Sequence, residues 1–331
     1  MRVKLVDESN VNMRRVIRIG EKSVGITLPR EWLNTLKMSV GTLVKISLLG
    51  NSIVISPLES KEISEKEINI KVDEYPSPEM LSKILIASYL EGLDKVNATG
   101  DRIIIRRAFN EIFSKLPGIV LLESGERSEF RITVDENIMG ISSIIKTLIS
   151  SSLMMFDLLE KYFTTGERSF LDQLLVLDDD LDRLHFMGIR LVKKSSLMNI
   201  AEATDLLIMI KSLEHVGDSL DRTARFLLRT SLNEECMKIS LEIFRKVREY
   251  YNKTLEAYVS KNVISALDLL NKRAPLMDEL ISDIMKTRCS NELSGVLHEA
   301  LNITAIAAEI AELSTSAVIR EKIQSYATTS K

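Results

Sequence analysis

Residues 169–229 read SFLDQLLVLDDDLDRLHFMGIRLVKKSSLMNIAEATDLLIMIKSLEHVGDSLDRTARFLLR. Apolar side chains recur at i, i+3, i+4 and i+7 on both sides of Ser195-Ser196, which predicts two long amphipathic helices joined by a short link. The same period predicts six helices, over 136–163, 169–196, 199–229, 234–260, 262–287 and 291–324. Breaks fall at Thr165-Gly166, Ser195-Ser196, Ser231-Leu232-Asn233, Lys261-Asn262 and Ser290-Asn291. Short links make successive helices antiparallel neighbours. Proline usage agrees with this division. Pro29, Pro57, Pro76, Pro78 and Pro117 precede residue 118 and only Pro275 follows, so the C-terminal part is free to be helical.

The helices group into two copies of a three-helix unit, 135–231 and 232–331. LDRL at 181–184 aligns with MDEL at 277–280 at an offset of 96, and EHVGD at 214–218 aligns with AEIAE at 308–312 at an offset of 94. Similar offsets on two separate helices point to an internal repeat.

Working outward, residues 1–58 carry nine basic side chains (Arg2, Lys4, Arg14, Arg15, Arg18, Lys22, Arg30, Lys37, Lys45) against four acidic ones (Asp7, Glu8, Glu21, Glu31), a net +5 in a chain whose total is −3. A basic head on an acidic body suggests that one end meets a polyanion. RVIRIG and VGITLP read as short strands, Glu31 to Met38 as a short helix, and LVKISLL, Gly50-Asn51 and SIVIS as a hairpin whose turn dipeptide supplies positive φ. So short a unit buries little surface alone, and dimerisation would answer that. Residues 59–134 read as a small α/β module, with INIKV, RIIIR, GIVLLES and EFRITV as strands and LSKILIASYLEGL and AFNEIFSKL as helices.

Two helical stripes could carry chemistry. Asp178, Asp182 and His185 share one face of their helix, and Glu214, Asp218 and Asp221 share one face of the next. Paired antiparallel, they would gather up to five carboxylates and an imidazole, and such charges need neutralising. Oxygen ligands with one nitrogen suit Fe, Zn, Mn or Mg. Gly217, among the acids, allows close approach of a cation or a neighbouring helix. The plain alternative is a solvated acidic face or, for Asp178-Asp179-Asp180, a helix N-terminus. Against the latter, LDQLLVL before the triplet already has helical period. His215 and His298 read as surface, packing or structural residues. In the basic head, Arg14, Arg15, Arg18, Lys22 and Arg30 flank short strands, and arginine forks bind phosphates and guanine edges. An ordinary solvated basic face is the alternative.

Residues 14–58, above all SVGITLPREW (23–32) and VGTLVKI (40–46), resemble the SpoVT/AbrB DNA-binding domain. That resemblance implies a swapped-hairpin β dimer that presents arginines to double-stranded DNA. Residues 136–325 resemble the PhoU family, a pair of three-helix bundles with an E/D-x-x-x-D pair on two helices of each repeat. Asp178/Asp182 and Glu214/Asp218 match those pairs, the latter within an E-[RH]-[IV]-G-D signature. In the second repeat Asp278 and Glu312 remain, but Ala274 and Ala308 replace their partners and Pro275 enters the helix, so the resemblance implies a metal site in the first repeat only. The combination resembles archaeal-type PhoU proteins with an N-terminal AbrB domain. It implies a multidomain, mainly α homodimer that regulates transcription for phosphate uptake, through DNA at 1–58, a linker module at 59–134 and PhoU-like repeats at 135–231 and 232–331. The alternative is an adaptor that docks on a phosphate transporter ATPase or another phosphate-signalling protein without binding DNA.

Other classes are disfavoured. No nucleophile elbow, P-loop, HExxH or GxGxxG occurs. Asp182-x-x-His185 echoes the Glu-x-x-His of di-iron bundles, but those need four ligand-bearing helices and only two are found here, so no enzyme is expected. No run of about 18 uncharged apolar residues suggests a membrane span, and the start of the chain lacks the apolar core of a signal peptide. A cytoplasmic location is expected. Cys236 and Cys289 are then expected as reduced thiols, with a disulfide between them the lesser expectation.

Overall fold

The computed structural model describes residues 12–49, 52–58, 65–125, 127–134, 140–195 and 198–329. The chain forms two compact units, Met1–Ser64 and Glu65–Lys331.

In the first unit, β1 (Ile17–Arg18) pairs antiparallel with β2 (Val24–Gly25) around Glu21-Lys22-Ser23. Helix α1 (Arg30–Thr35) follows Pro29, whose fixed φ suits a helix start. Strands β3 (Val44–Leu49) and β4 (Ser52–Pro57) then form an antiparallel hairpin. The expected Gly50-Asn51 turn lies outside the described residues, as do 59–64 of the charged stretch that follows. The order of elements is the one read from the sequence. No described residue of this unit is buried, and Val24, Leu43, Ile46, Leu48 and Ile53 all stand exposed.

The second unit begins with the α/β module: β5 (Glu67–Lys71), α2 (Pro78–Leu90), β6 (Lys95–Thr99), α3 (Arg102–Phe113), β7 (Ile119–Ser124) and β8 (Arg127–Ile132). The sheet order is β5-β6-β8-β7, with β5 parallel to β6 and the other pairs antiparallel. Alternation along the strands sends Ile70, Val96, Ala98, Phe130 and Ile132 into a core with Leu81, Leu85, Ile105 and Ile112 of the two helices. The opposite face of the sheet is mostly polar and charged, with Val120 and Leu122 of β7 exposed among those side chains.

Two elements of the module differ from the sequence reading. RIIIR, which has the composition of a strand, opens α3. Asp101 caps that helix by accepting a hydrogen bond from the Ile103 N–H, and Ile105, Ala108 and Ile112 bury one helical face. The β-branched run has strand propensity, but the wider window has helical period, and packing follows the period. Conversely Lys95–Thr99, outside the expected strands, is β6. Its outward Lys95 and Asn97 dilute the alternation that Val96 and Ala98 carry.

Six helices follow: α4 (Ile141–Thr165), α5 (Ser169–Lys194), α6 (Ile200–Arg229), α7 (Glu234–Val259), α8 (Val263–Met285) and α9 (Ser294–Thr329). Residues 135–139, the start of the first expected helix, lie outside the described set. The structure is 66% helical, which fixes the class as mainly α. Asn199, Asn233 and Asn262 cap α6, α7 and α8 by accepting backbone N–H bonds. Helices α4, α5 and α6 pack as one three-helix set and α7, α8 and α9 as another, joined where α6 meets α9 and α4 meets α7 around one continuous core. Among the described residues α4 is the one helix long and apolar enough to cross a membrane. Here its Ile144, Leu148, Met155, Phe156 and Leu159 are buried in the bundle.

Cys236 and Cys289, expected as free thiols, are joined by a disulfide, S–S 2.02 Å. Both side chains are buried, and the bond ties the start of α7 to the α8–α9 connection, ends that the sequence places 53 residues apart. The redox state of a compartment bears on whether thiols stay reduced, whereas pairing needs the fold to bring the two cysteines together, as it does here.

Arg190 of α5 locks the bundle to the module. It is 1% exposed. Its Nη1 donates to the carbonyls of Tyr89 (2.9 Å) and Leu93 (2.8 Å), and its Nη2 lies 3.2 Å from Asp94 Oδ1. The guanidinium stacks over the Tyr89 ring at 5.0 Å, and Lys194 reaches the same Asp94 carboxylate at 2.8 Å.

Candidate metal centre

Helices α5 and α6 run antiparallel, so their stripes meet residue against residue, Asp178 opposite Asp221 and His185 opposite Glu214. The Asp triplet lies in mid-helix, nine residues after the α5 start at Ser169, so it is not a cap. Gly217 of α6 faces α5 at close quarters. A Cβ there would meet Leu181 Cδ1 at 3.0 Å and Asp178 Oδ1 at 3.4 Å.

Asp182, His185 and Glu214 bring one ligand atom each to within 4.8 Å of one another. His185 is 4% exposed, and both its ring nitrogens are buried without a hydrogen-bond partner among the described residues. Asp178 Oδ1 and Asp221 Oδ1 are orphaned in the same way. Leaving several such atoms unpaired is costly. Oxygen donors around one imidazole are the chemistry a divalent transition metal or zinc takes, so the residues fit such an ion.

The electrostatics agree. Burial, followed by the neighbouring Asp221, Asp182 and Asp218 charges, pushes the Asp178 carboxyl from 3.8 up to about 7. Burial raises Asp182 against the opposing pull of Lys115, and raises Glu214 despite a 2.8 Å bond donated by Lys211. Burial also depresses the His185 imidazole from 6.5 to about 3, with Lys211 adding to the effect. His185 is therefore neutral at pH 7. Its Nδ1 contact with Glu214 Oε1 at 3.6 Å is not an ion pair, and a neutral imidazole keeps a lone pair for a cation.

The other expected ligands lie at the margin. Asp218 is 3.5 Å from Arg222 Nη1, and Asp221 Oδ2 accepts from Arg225 Nε at 2.7 Å. Five further residues join the site without having been marked by the sequence. Lys211, Arg222 and Arg225 stand one helical turn from their acids, a spacing that could have flagged them. Lys115 of the α3–β7 link approaches Asp182 at 4.0 Å, and buried Glu299 of α9 accepts from Arg222 Nε at 3.0 Å. Tertiary folding alone brings those last two in. His215 is partly exposed, 3.8 Å from Glu214, and His298 is exposed beside Asn302. Asp278 and Glu312 of the second repeat lie in neither of the ligand groups found among the described residues.

Arg14, Arg15, Arg18, Lys22 and Arg30 are all exposed in the first unit. Arg18 lies in β1, Lys22 in the β1–β2 turn, and Arg30 at the first position of α1.

Fold and site together define a helical-bundle protein with an acid-lined seam between two helices of one bundle. The family model described as the PhoU domain matches residues 145–227, which span most of α4 and of both seam helices. The chain matches no curated protein and no solved structure.

Proposed function

We propose that this chain is a regulator of phosphate homeostasis whose α5–α6 seam holds a divalent cation and whose N-terminal unit binds double-stranded DNA as a homodimer. The PhoU-domain match supports the phosphate role. The observation that carries the cation reading is the group of Asp182, His185 and Glu214 with both His185 ring nitrogens buried and unpartnered, and with further orphaned carboxylate oxygens on Asp178 and Asp221 along the same seam. Asp182, His185 and Glu214 would hold Fe, Zn, Mn or Mg, with Asp178, Asp218 and Asp221 around them. Such an ion supplies positive charge that neutralises the seam. The chain's own part is to release protons from Asp178 and its neighbours as the cation enters and to draw α5 and α6 together. A cation acts on the rest of the molecule only as far as it binds two arrangements of the bundle unequally.

The DNA reading rests on five exposed cations within residues 1–58, which carry a net +5, in a unit with no buried residue among those described, whose apolar side chains a second copy would cover. Fluorescence anisotropy with duplex DNA from upstream of its own gene and of phosphate-transport genes tests it, with random duplex as competitor at several salt concentrations. Binding that survives the competitor and weakens steeply with salt is expected. Binding no tighter than to the random duplex would reduce the unit to a dimerisation element and favour an adaptor docked on a phosphate transporter ATPase.

A further inference from the structure

A second candidate site lies in the α/β module, away from the acid seam. At the C-terminal end of β6 a cleft of about 490 Å³ is lined by Thr99, Gly100, Arg102 and Arg127. All four can donate hydrogen bonds and none carries an acid, although the chain as a whole is acidic. Neither arginine side chain has a hydrogen bond or ion pair among the described residues. The acid whose titration Arg102 influences, Glu123, is already gripped by Arg106, Nη2–Oε2 2.7 Å. Asp101 is turned away to cap Ile103.

The sheet register builds this arrangement. Thr99 lies between Lys71 of β5 and Arg127 of β8, so two cations flank one hydroxyl on the polar face of the sheet. Gly100 has φ +129°, and a Cβ there would meet Val72 Cβ at 2.9 Å, so the backbone at the cleft floor must stay bare. Elsewhere on this face the charges satisfy one another. Lys95 bridges Glu67 (3.0 Å) and Glu129 (3.4 Å), and Arg131 binds Glu129 at 2.7 Å. The cleft is therefore where donors are left over. A larger cavity of about 850 Å³ shares Thr99 and Arg127 with it and continues over Asn69, Asn97 and Leu122, where Glu67, Glu123 and Glu129 are paired with Lys95, Arg106 and Arg131 and Glu74 lies at the wall.

We propose that this cleft binds a phosphate group, held by the forks of Arg102 and Arg127 and the Thr99 hydroxyl, either as the free ion or as the terminal phosphate of a small organic ester. Arginine forks match tetrahedral oxyanions, and charge-assisted bonds from two of them give the group its grip. The adjoining cavity takes the organic part of an ester. The proposal does not depend on a cation in the α5–α6 seam.

Equilibrium dialysis of the full-length protein with labelled inorganic phosphate and, separately, labelled ATP at constant ionic strength tests it. Saturable binding of about one equivalent of at least one probe is expected. Arg102→Ala/Arg127→Ala is expected to weaken it at least about tenfold, while Asp182→Asn/His185→Leu leaves it unchanged. Both arginines are exposed and unpaired, so the double variant keeps its fold, and circular dichroism checks this. Equal binding of the two probes identifies the free ion, and tighter binding of ATP identifies an ester. No saturable binding of either probe overturns the proposal. So does binding that the arginine variant leaves intact, or that only the seam variant removes.

Discussion

Asp178→Asn in the metal-free protein should stabilise it, and by an amount that depends on pH. The folded state holds this carboxyl at about 7 against an ordinary 3.8. Folding therefore favours the protonated form. The stability this group contributes is complete below about pH 4 and is lost as pH rises through 7. At pH 8 the full shift corresponds to about 4 kcal/mol, and to about 2 once solvent access to the half-buried group is counted. Asparagine has nearly the same shape and no charge to bury. The variant should be more stable than the parent by about 2 kcal/mol at pH 8, and by under about 1 at pH 5. His185 works in the opposite direction, since its depressed pKa costs stability as pH falls below 6.5. That cost is common to both proteins and cancels in the comparison. Urea unfolding should be followed by circular dichroism at 222 nm, because the only tryptophan, Trp32, lies in the N-terminal unit and does not report on the bundle. Equal stability of the two proteins at pH 8, or a less stable variant, would refute the buried-charge account of the seam.

Other outcomes follow from particular interactions. Arg190→Ala strands two carbonyls and half of the Asp94 pairing, so it should cost about 3–5 kcal/mol and raise hydrogen exchange in α2 and β6, measured by mass spectrometry. Reducing the Cys236–Cys289 bond, which closes a span of 53 residues, should cost about 4 kcal/mol by the loop-entropy argument. Thiol titration of the unreduced protein in urea should find no free cysteine, and two free thiols would contradict the structure. Arg14→Ala/Arg15→Ala should lower DNA affinity and flatten the log–log salt dependence by about two, roughly 0.9 for each phosphate no longer neutralised. An unchanged slope in anisotropy titrations would remove those two residues from the interface.

The helical body was legible in the sequence because its signals are local and repeated. A 3.6-residue apolar period runs through each helix, asparagine stands at three of the starts, and the expected ends fall within a few residues of those observed. Both stripes of the seam were legible for the same reason, since i, i+4 and i+7 spacing alone puts Asp178, Asp182 and His185 on one face. What stayed hidden depends on distant segments meeting. The disulfide, Lys115 beside Asp182, Glu299 beneath Arg222 and the burial of Arg190 against Tyr89 each join residues tens of positions apart or more. The α/β module was read less well because its segments are short. Ile103-Ile104-Ile105 has strand propensity in isolation and becomes helix once Ala108 and Ile112 are counted, while Lys95–Thr99 owes its strand state to the neighbours that pair with it on both sides.

Calorimetric titration of Zn²⁺ and Mn²⁺ into the metal-free full-length protein tests the central claim most directly, with Asp182→Asn and His185→Leu run alongside. The account predicts one site per chain for at least one of the ions, proton release on binding, and a loss of at least about tenfold in affinity in each variant. No binding of either ion, or binding that both variants leave unchanged, would contradict it.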